Sequence, residues 1–183
     1  MARVIILLAE GFEEIEALTA VDLLRRVNVE TEMVSINDSL LVTGARKIQV
    51  TADKTMDTAD FIDAEMLILP GGMPGTKNLD ECEAVIEYIN EYIAKKKYVG
   101  AICAAPTVLG KRGLLKGKKA CCYPDMEDML LEAKVSFDEV CVDGKIITSR
   151  GLGTATAFAL KLVEIMTDKA TADKLAKSVV YRA

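Results

Sequence analysis

The side chain best placed to do chemistry in this chain is Cys103, within the segment Tyr98–Leu109. A short apolar run ends at Ile102 and a helical pattern begins at Ala104. That predicts a sharp strand-to-helix turn with the thiol at its corner, flanked by small residues that let a second molecule approach. The first N–H groups of a helix lack intrahelical partners and favour a thiolate, so a lowered cysteine pKa is expected. The chain contains no histidine. This excludes a cysteine–histidine dyad and any histidine metal site. Another group must tune Cys103.

Glu16 is the candidate. Placed on a wheel at about 100° per residue, the segment Glu13–Val27 puts Glu16, Ala20, Leu23 and Val27 on one stripe, widened by Ala17 and Leu24. Asp22, Arg25 and Arg26 occupy the opposite arc. A carboxylate within an apolar face is costly unless paired or protonated, and desolvation raises its pKa. Once protonated it offers an O–H donor that would stabilise a thiolate, and the two groups would titrate as a unit. The other reading of Glu16 is an acid of the first helical turn that reaches solvent or caps the helix.

Two glycine-bearing loops could complete such a site. The run Leu67-Ile-Leu-Pro-Gly-Gly-Met-Pro-Gly75 ends another strand, and the N–H of Gly72 with that of Ala104 could form an oxyanion hole. Gly71 lies beside it. The loop lacks the glycine–lysine–serine/threonine ending of a phosphate loop and also reads as a plain strand-to-helix turn. The run Ile147–Thr154 opens a helix, and its glycines, hydroxyls and Arg150 could hold an anion there. Ser149 or Thr154 could equally be a simple N-cap. Tyr123-Pro124 follows Cys122 at a strand end. Cys141, between Val140 and Val142, reads as packing, Cys82 as incidental in the first turn of a helix, and the eight methionines as core filler.

The elements that must position these residues follow from periodicity. Strands are expected at Arg3–Ala9, Glu32–Ile36, Glu65–Leu69, Tyr98–Ile102, Lys119–Cys122 and Lys145–Thr148. Helices are expected at Glu13–Val27, Asp80–Lys96, Ala104–Arg112, Leu152–Met166 and Ala170–Ser178. Leu40–Thr43 and Lys47–Thr51 around Gly44-Ala45 read as a hairpin, as do Val140–Asp143 and Lys145–Thr148 around Gly144. Alternating helices and continuously apolar strands imply an α/β domain over residues 1–183 with a mostly parallel sheet covered on both faces. In such sheets reactive groups collect at the carboxyl ends of the strands, where Cys103 falls.

Bulk composition narrows the function. With 51% hydrophobic residues in 183 the chain can bury a two-faced core. The 23 basic and 28 acidic residues give a net charge of −5 in mixed sign, which argues against a nucleic-acid-binding surface. No stretch approaches the ~20 apolar residues of a membrane span. The Val4–Ala9 run meets Glu10 at once and reads as a buried strand instead of a signal peptide. Five cysteines without framework spacing fit a reducing cytoplasm.

Four motifs together carry a resemblance: Gly11-Phe-Glu-Glu-Ile-Glu16, Leu69-Pro-Gly-Gly72, Ala101-Ile-Cys-Ala-Ala-Pro106 and Thr148-Ser-Arg-Gly-Leu-Gly-Thr154. In this order and at strand ends they resemble the ThiJ/PfpI superfamily, in the branch of the Parkinson disease protein and its bacterial relatives. The resemblance implies a flavodoxin-like three-layer sandwich of class I glutamine amidotransferase type, usually a homodimer. It makes Cys103 the nucleophile, Glu16 its protonated partner, and the Gly72 and Ala104 N–H groups the oxyanion donors. Arg46 and Arg150 line up with family arginines near the site, and Arg26 with one near the dimer contact. Two departures stand out: Tyr123 precedes Pro124 where many relatives carry histidine, and Ala105 replaces a glycine, which would narrow the pocket. A phenol is a poor base near neutral pH.

The resemblance implies glutathione-independent glyoxalase or deglycase chemistry on a small aldehyde or glycated substrate, with no metal and no organic cofactor. Redox sensing through oxidation of Cys103, or a chaperone-type dimer, are the alternatives. The absence of histidine disfavours the protease and glutaminase branches.

Overall fold

Along the run Val4–Ala9, alternate residues point to opposite sides: Val4, Ile6 and Leu8 join one apolar cluster, Ile5, Leu7 and Ala9 another, and all six are fully buried. A strand apolar on both faces must lie inside a sheet with cover on both sides. The computed structural model, which describes residues 3–182, has that arrangement. The first half of the chain runs β1 (Arg3–Leu8), α1 (Glu14–Arg26), β2 (Glu30–Ser35), β3 (Leu41–Thr43), β4 (Gln49–Thr51), β5 (Lys54–Thr55) and β6 (Met66–Leu69). It continues through α2 (Gly75–Glu81), α3 (Glu83–Ala94), β7 (Tyr98–Ile102) and α4 (Pro106–Gly110). The last part holds β8 (Lys119–Ala120), β9 (Lys134–Val135), β10 (Val140–Asp143), β11 (Ile146–Ser149), α5 (Ala155–Met166) and α6 (Lys169–Ser178).

Seven strands form the central sheet in the order β10-β11-β7-β6-β1-β2-β5, parallel except for β10. One face packs on α1 and α5 through Ala20, Leu24, Phe158 and Leu162, with α6 packed on α5, and the other on α2, α3 and α4 through Leu79, Ile89, Tyr92 and Val108. This is the mostly parallel, doubly covered sheet expected from the alternation of elements, and the flavodoxin-like sandwich that the resemblance implies. No helix among the described residues is long and apolar enough to cross a membrane.

Several expected elements differ. The helix expected over Asp80–Lys96 starts earlier and is two helices, because Cys82 takes extended angles (φ −82°, ψ 106°) and closes one while opening the next. Cys82 thus sits at a junction. The Ala104–Arg112 helix contracts to α4, which begins at Pro106; proline lacks an N–H and suits a first helical position. The expected strand Lys119–Cys122 is only β8, and it pairs with β9 outside the main sheet. The α5 helix starts at Ala155, after a 3-10 turn over Leu152–Thr154. Both expected hairpins form: β3 with β4 and β10 with β11.

The order of the sheet creates a crevice. After β1 the chain moves to β2 on one side, and it later returns to β6 on the other, so β1 and β6 flank the topological switch point. The two loops leaving these strands touch backbone to backbone. Gly75 donates its N–H to Gly11 at 3.1 Å, Glu13 donates to the Gly71 carbonyl at 2.9 Å, and a Cβ on Gly75 would lie 2.6 Å from the Phe12 nitrogen. Neither backbone can yield without separating the loops. Gly75→Ala is therefore expected to destabilise the fold by about 1–3 kcal/mol. Thermal unfolding should show a midpoint lower by about 2–4 °C per kcal/mol; an unchanged midpoint would show that the two loops are not locked together.

Candidate active site

Cys103 occupies the turn between β7 and α4 with φ +65°, a left-handed conformation that costs a non-glycine residue of order 1–2 kcal/mol. Neighbouring elements hold it there. Its N–H donates to the Ser149 carbonyl at the end of β11 at 3.0 Å, and its carbonyl accepts the Tyr123 N–H at 2.8 Å. The half-buried thiol faces the Glu16 carboxyl, and the N–H groups of Ala104 and Gly72 lie near enough to the sulfur to favour its anion. The sequence thus brings together the four groups it singled out.

Glu16 is 2% exposed, in the first turn of α1. Its Oε2 accepts the Gly71 N–H at 2.9 Å, while Oε1 is buried without a hydrogen-bond partner of ordinary geometry. The reading in which Glu16 reaches solvent is thereby set aside. Gly71 is what makes the approach possible. A Cβ there would lie 2.5 Å from the Cys103 Cβ and 2.6 Å from Glu16 Oε2, closer than atoms can pack.

Burial pushes Glu16 up to about 7, against the hydrogen bonds from Cys103 and Gly71; the Glu13 charge adds to the rise. Burial also pushes the Cys103 thiol up to about 12, reinforced by the Glu16 charge and hydrogen bond, and the Ala104 and Gly72 N–H groups only partly offset it. The lowered thiol pKa expected from the helix start is therefore corrected: desolvation outweighs the N–H groups. Near pH 7 the pair passes from two protons to one, and while Glu16 is charged the remaining proton resides on sulfur.

A cavity of about 300 Å³ opens onto Cys103, lined by Glu13, Ala45, Arg46, Gly72, Met73, Ala104, Tyr123 and Met126. Arg46 reaches it from the β3–β4 hairpin. That hairpin is stitched to the site by Glu14, whose Oε1 accepts the Arg46 N–H at 2.8 Å, and by the Ala45 N–H donated to Phe12 at 2.8 Å. The Arg46 guanidinium is exposed and lies 3.9 Å from the Glu13 carboxylate. Tyr123 forms a wall with its ring half-exposed. Arg150 is not among the lining residues; its guanidinium stacks over Phe137 at 5.6 Å. The N–H groups of Arg150 and Gly151 donate to Thr154 Oγ1 at 3.2 and 3.1 Å, so the Thr154 hydroxyl binds the loop's own backbone, while the Ser149 hydroxyl donates to the Glu139 carbonyl. Ala105 is fully buried in the core beneath α4, so its methyl group does not narrow the cavity.

Sequence reasoning passed over Glu13, Met73 and Met126, and took Gly151 only as part of an anion-holding loop. A Cβ on Gly151 would lie 3.8 Å from the Cys103 sulfur. Glu13 and Gly151 fall inside the quoted motifs, which is the signal that could have found them. Met126 lies in an irregular segment after Pro124, where no period points to a cavity.

The buried Glu16 has a stability signature. Its folded pKa, about 7, exceeds the ordinary 4.5, so its favourable contribution is complete below 4.5 and is lost as pH rises through 7. Glu16→Gln removes that loss, since an amide can still accept from Gly71 and donate to sulfur. The variant is expected to unfold at a higher temperature than wild type at about pH 8, by up to about 3 kcal/mol, with the gap closing by about pH 5. An equal gap at both pH values would show that Glu16 ionises normally.

With this geometry in view, the chain can be placed among known proteins. Residues 2–165 match the DJ-1/PfpI family. Protein DJ-1 homolog A of Arabidopsis thaliana is 35% identical over 97% of this chain, which spans 46% of that longer relative. The glutathione-independent glyoxalase DJR-1.2 of Caenorhabditis elegans is 33% identical over 90% of this chain and 88% of its own. The solved structure of oxidized Toxoplasma gondii DJ-1 superposes with a TM-score of 0.95 at 35% identity, covering 100% of both chains. The chain belongs to the DJ-1/PfpI family.

Proposed function

We propose that this protein is a cysteine-dependent enzyme, needing no cofactor, that converts methylglyoxal or a similar reactive aldehyde to the corresponding 2-hydroxy acid. The observation that carries the reading is the buried Glu16 carboxyl facing the Cys103 thiol, with Glu16 raised to about 7. A group poised near the working pH can both take and return a proton. The name of the C. elegans relative, a glutathione-independent glyoxalase, supports the same class of reaction.

In this mechanism Glu16, as carboxylate, takes the thiol proton while sulfur adds to the aldehyde carbon, and the proton passes to the new alkoxide to give a hemithioacetal. The Gly72 and Ala104 N–H groups, which lie beside the sulfur, stabilise negative charge developing on that oxygen. Glu16 then removes the hydrogen from the former aldehyde carbon and returns it to the neighbouring carbonyl carbon. The hydroxyl proton moves from the first oxygen to the second, leaving a lactoyl thioester. Water cleaves the carbon–sulfur bond, releasing lactate and restoring the thiol. The sum is methylglyoxal plus water to lactate. Met73, Tyr123 and Met126 enclose the substrate's apolar end, and Arg46 and Glu13 set the charge at the mouth.

Glutathione-free lactate formation from methylglyoxal should be measurable in the wild type. Cys103→Ser and Glu16→Gln should each lower kcat/KM by about 10²-fold or more. A wild type with an intact thiol and no turnover would sink the reading in favour of a sensor that acts through Cys103 oxidation.

The reaction also has a defined pH dependence. The active pair holds one proton; below about 7 it takes up a second and loses its base. The kcat/KM profile should therefore rise through about pH 7 and then stay level, since the thiol itself ionises only near 12. Residual activity in Glu16→Gln should lack this limb. A profile that falls as pH rises through 7 would contradict the assignment.

A further inference from the structure

Away from the Cys103 cavity, strand pairing brings two other thiols together. In the antiparallel pair β10–β11, Cys141 stands opposite Thr148, so both side chains leave the same face of the sheet. The segment after β8 folds onto that face. Cys121 donates its backbone N–H to Thr148 Oγ1 at 3.0 Å, and its sulfur lies 3.6 Å from the same hydroxyl. Cys121 and Cys141 thus meet over one threonine, at 0% and 2% exposure. Both are free thiols.

The two thiols lie close enough for each to shift the other's ionisation. This contact, with burial, favours the proton on Cys121. The same contact pushes Cys141 below the ordinary thiol range; Ser136 and Lys119 help, and burial and Asp138 oppose. One sulfur is therefore the stronger nucleophile and the other carries a proton to give away. Cys122, next in the chain, is differently placed: its thiol donates to the Tyr123 carbonyl at 3.4 Å, and burial pushes it up to about 12.

We propose that Cys121 and Cys141 form a reversible intramolecular disulfide on exposure to a small peroxide. The Cys141 thiolate attacks one peroxide oxygen, the O–O bond breaks, and a sulfenic acid forms as water or an alcohol departs. The Cys121 sulfur then attacks the Cys141 sulfur, the S–O bond breaks, and water leaves with the Cys121 proton. Two thiols lose two electrons, which reduce the peroxide. A small thiol reverses the step by exchange. The bond would fasten the 119–123 segment to the edge strand. That segment runs into Tyr123, which walls the Cys103 cavity and donates its N–H to the Cys103 carbonyl.

The test uses the full chain with Cys103→Ala, which removes the more accessible thiol. After hydrogen peroxide treatment and alkylation under denaturing conditions, the intact mass should be lower by two hydrogens and take up two fewer alkyl groups. Trypsin cuts after Lys119, Lys134 and Lys145, placing Cys121 and Cys141 on separate peptides that should appear as one linked species. Adding Cys122→Ser should preserve the link, and Cys121→Ser or Cys141→Ser should abolish it. Dithiothreitol should restore both labels. Peptides that stay unlinked under peroxide sufficient to oxidise wild-type Cys103, or a link that requires Cys122, would overturn the proposal. Because the wild-type map is itself decisive, a variant that fails to fold does not blunt the test.

Discussion

A carboxyl and a thiol held against each other away from water, sharing a single proton, set the terms for everything around them. Neither group would choose this environment. Burial raises both Glu16 and Cys103 far above their ordinary values, so each is unfavourable as an anion, yet as pH rises through about 7 one negative charge comes to reside on the pair. The charge is tolerated because N–H groups surround it: Gly71 on the carboxylate, Gly72 and Ala104 at the sulfur. This is solvation by fixed backbone dipoles instead of water, and it works only while those dipoles cannot rotate away.

The sheet supplies that rigidity. Each participating group sits just past the carboxyl end of a buried parallel strand: Glu16 after β1, Gly71 and Gly72 after β6, Cys103 after β7, and the Ser149 carbonyl that anchors Cys103 at the end of β11. These strands are neighbours in the sheet, in the order β11-β7-β6-β1, so their four loops converge on one edge. The unfavourable backbone angle at Cys103 survives because hydrogen bonds fix the residue on both sides, to Ser149 and to Tyr123. Apolar packing on both faces stabilises the sheet, and the site spends a little of that stability on strain and desolvation.

What could be read from the sequence was what local pattern encodes. Glu16 stood out because a helical wheel places it among alanines and leucines, and the structure buries it there. Cys103 stood out because an apolar strand ends and a helix starts around it. Register and packing across distant segments left weaker traces. The two-residue strands β5 and β9 exist only through their partners, Val34–Ser35 and Lys119–Ala120. The break at Cys82 is a single extended residue inside an otherwise helical pattern. The direction of the Cys103 shift could not be read either, since it depends on how completely neighbouring loops exclude water. For the same reason Arg150, placed near the site by its motif, turns to Phe137 instead.

The absence of histidine then acquires a physical meaning. In a cysteine–histidine dyad the base must stay close to the thiol and keep its own affinity for a proton near neutrality. Here burial gives a carboxyl that affinity. Glu16 at about 7 stands where an imidazole would ordinarily titrate, with one difference of sign: it is negative when it accepts a proton, where imidazole is neutral. A negative base raises the thiol it faces, so the resting cysteine is held protonated and less open to chance oxidation. In the proposed reaction the thiolate forms as its proton moves to Glu16 and sulfur bonds to carbon. The backbone N–H of Tyr123 fixes the Cys103 carbonyl and its ring closes the cavity, and both tasks depend on the position of residue 123 and not on its being a base.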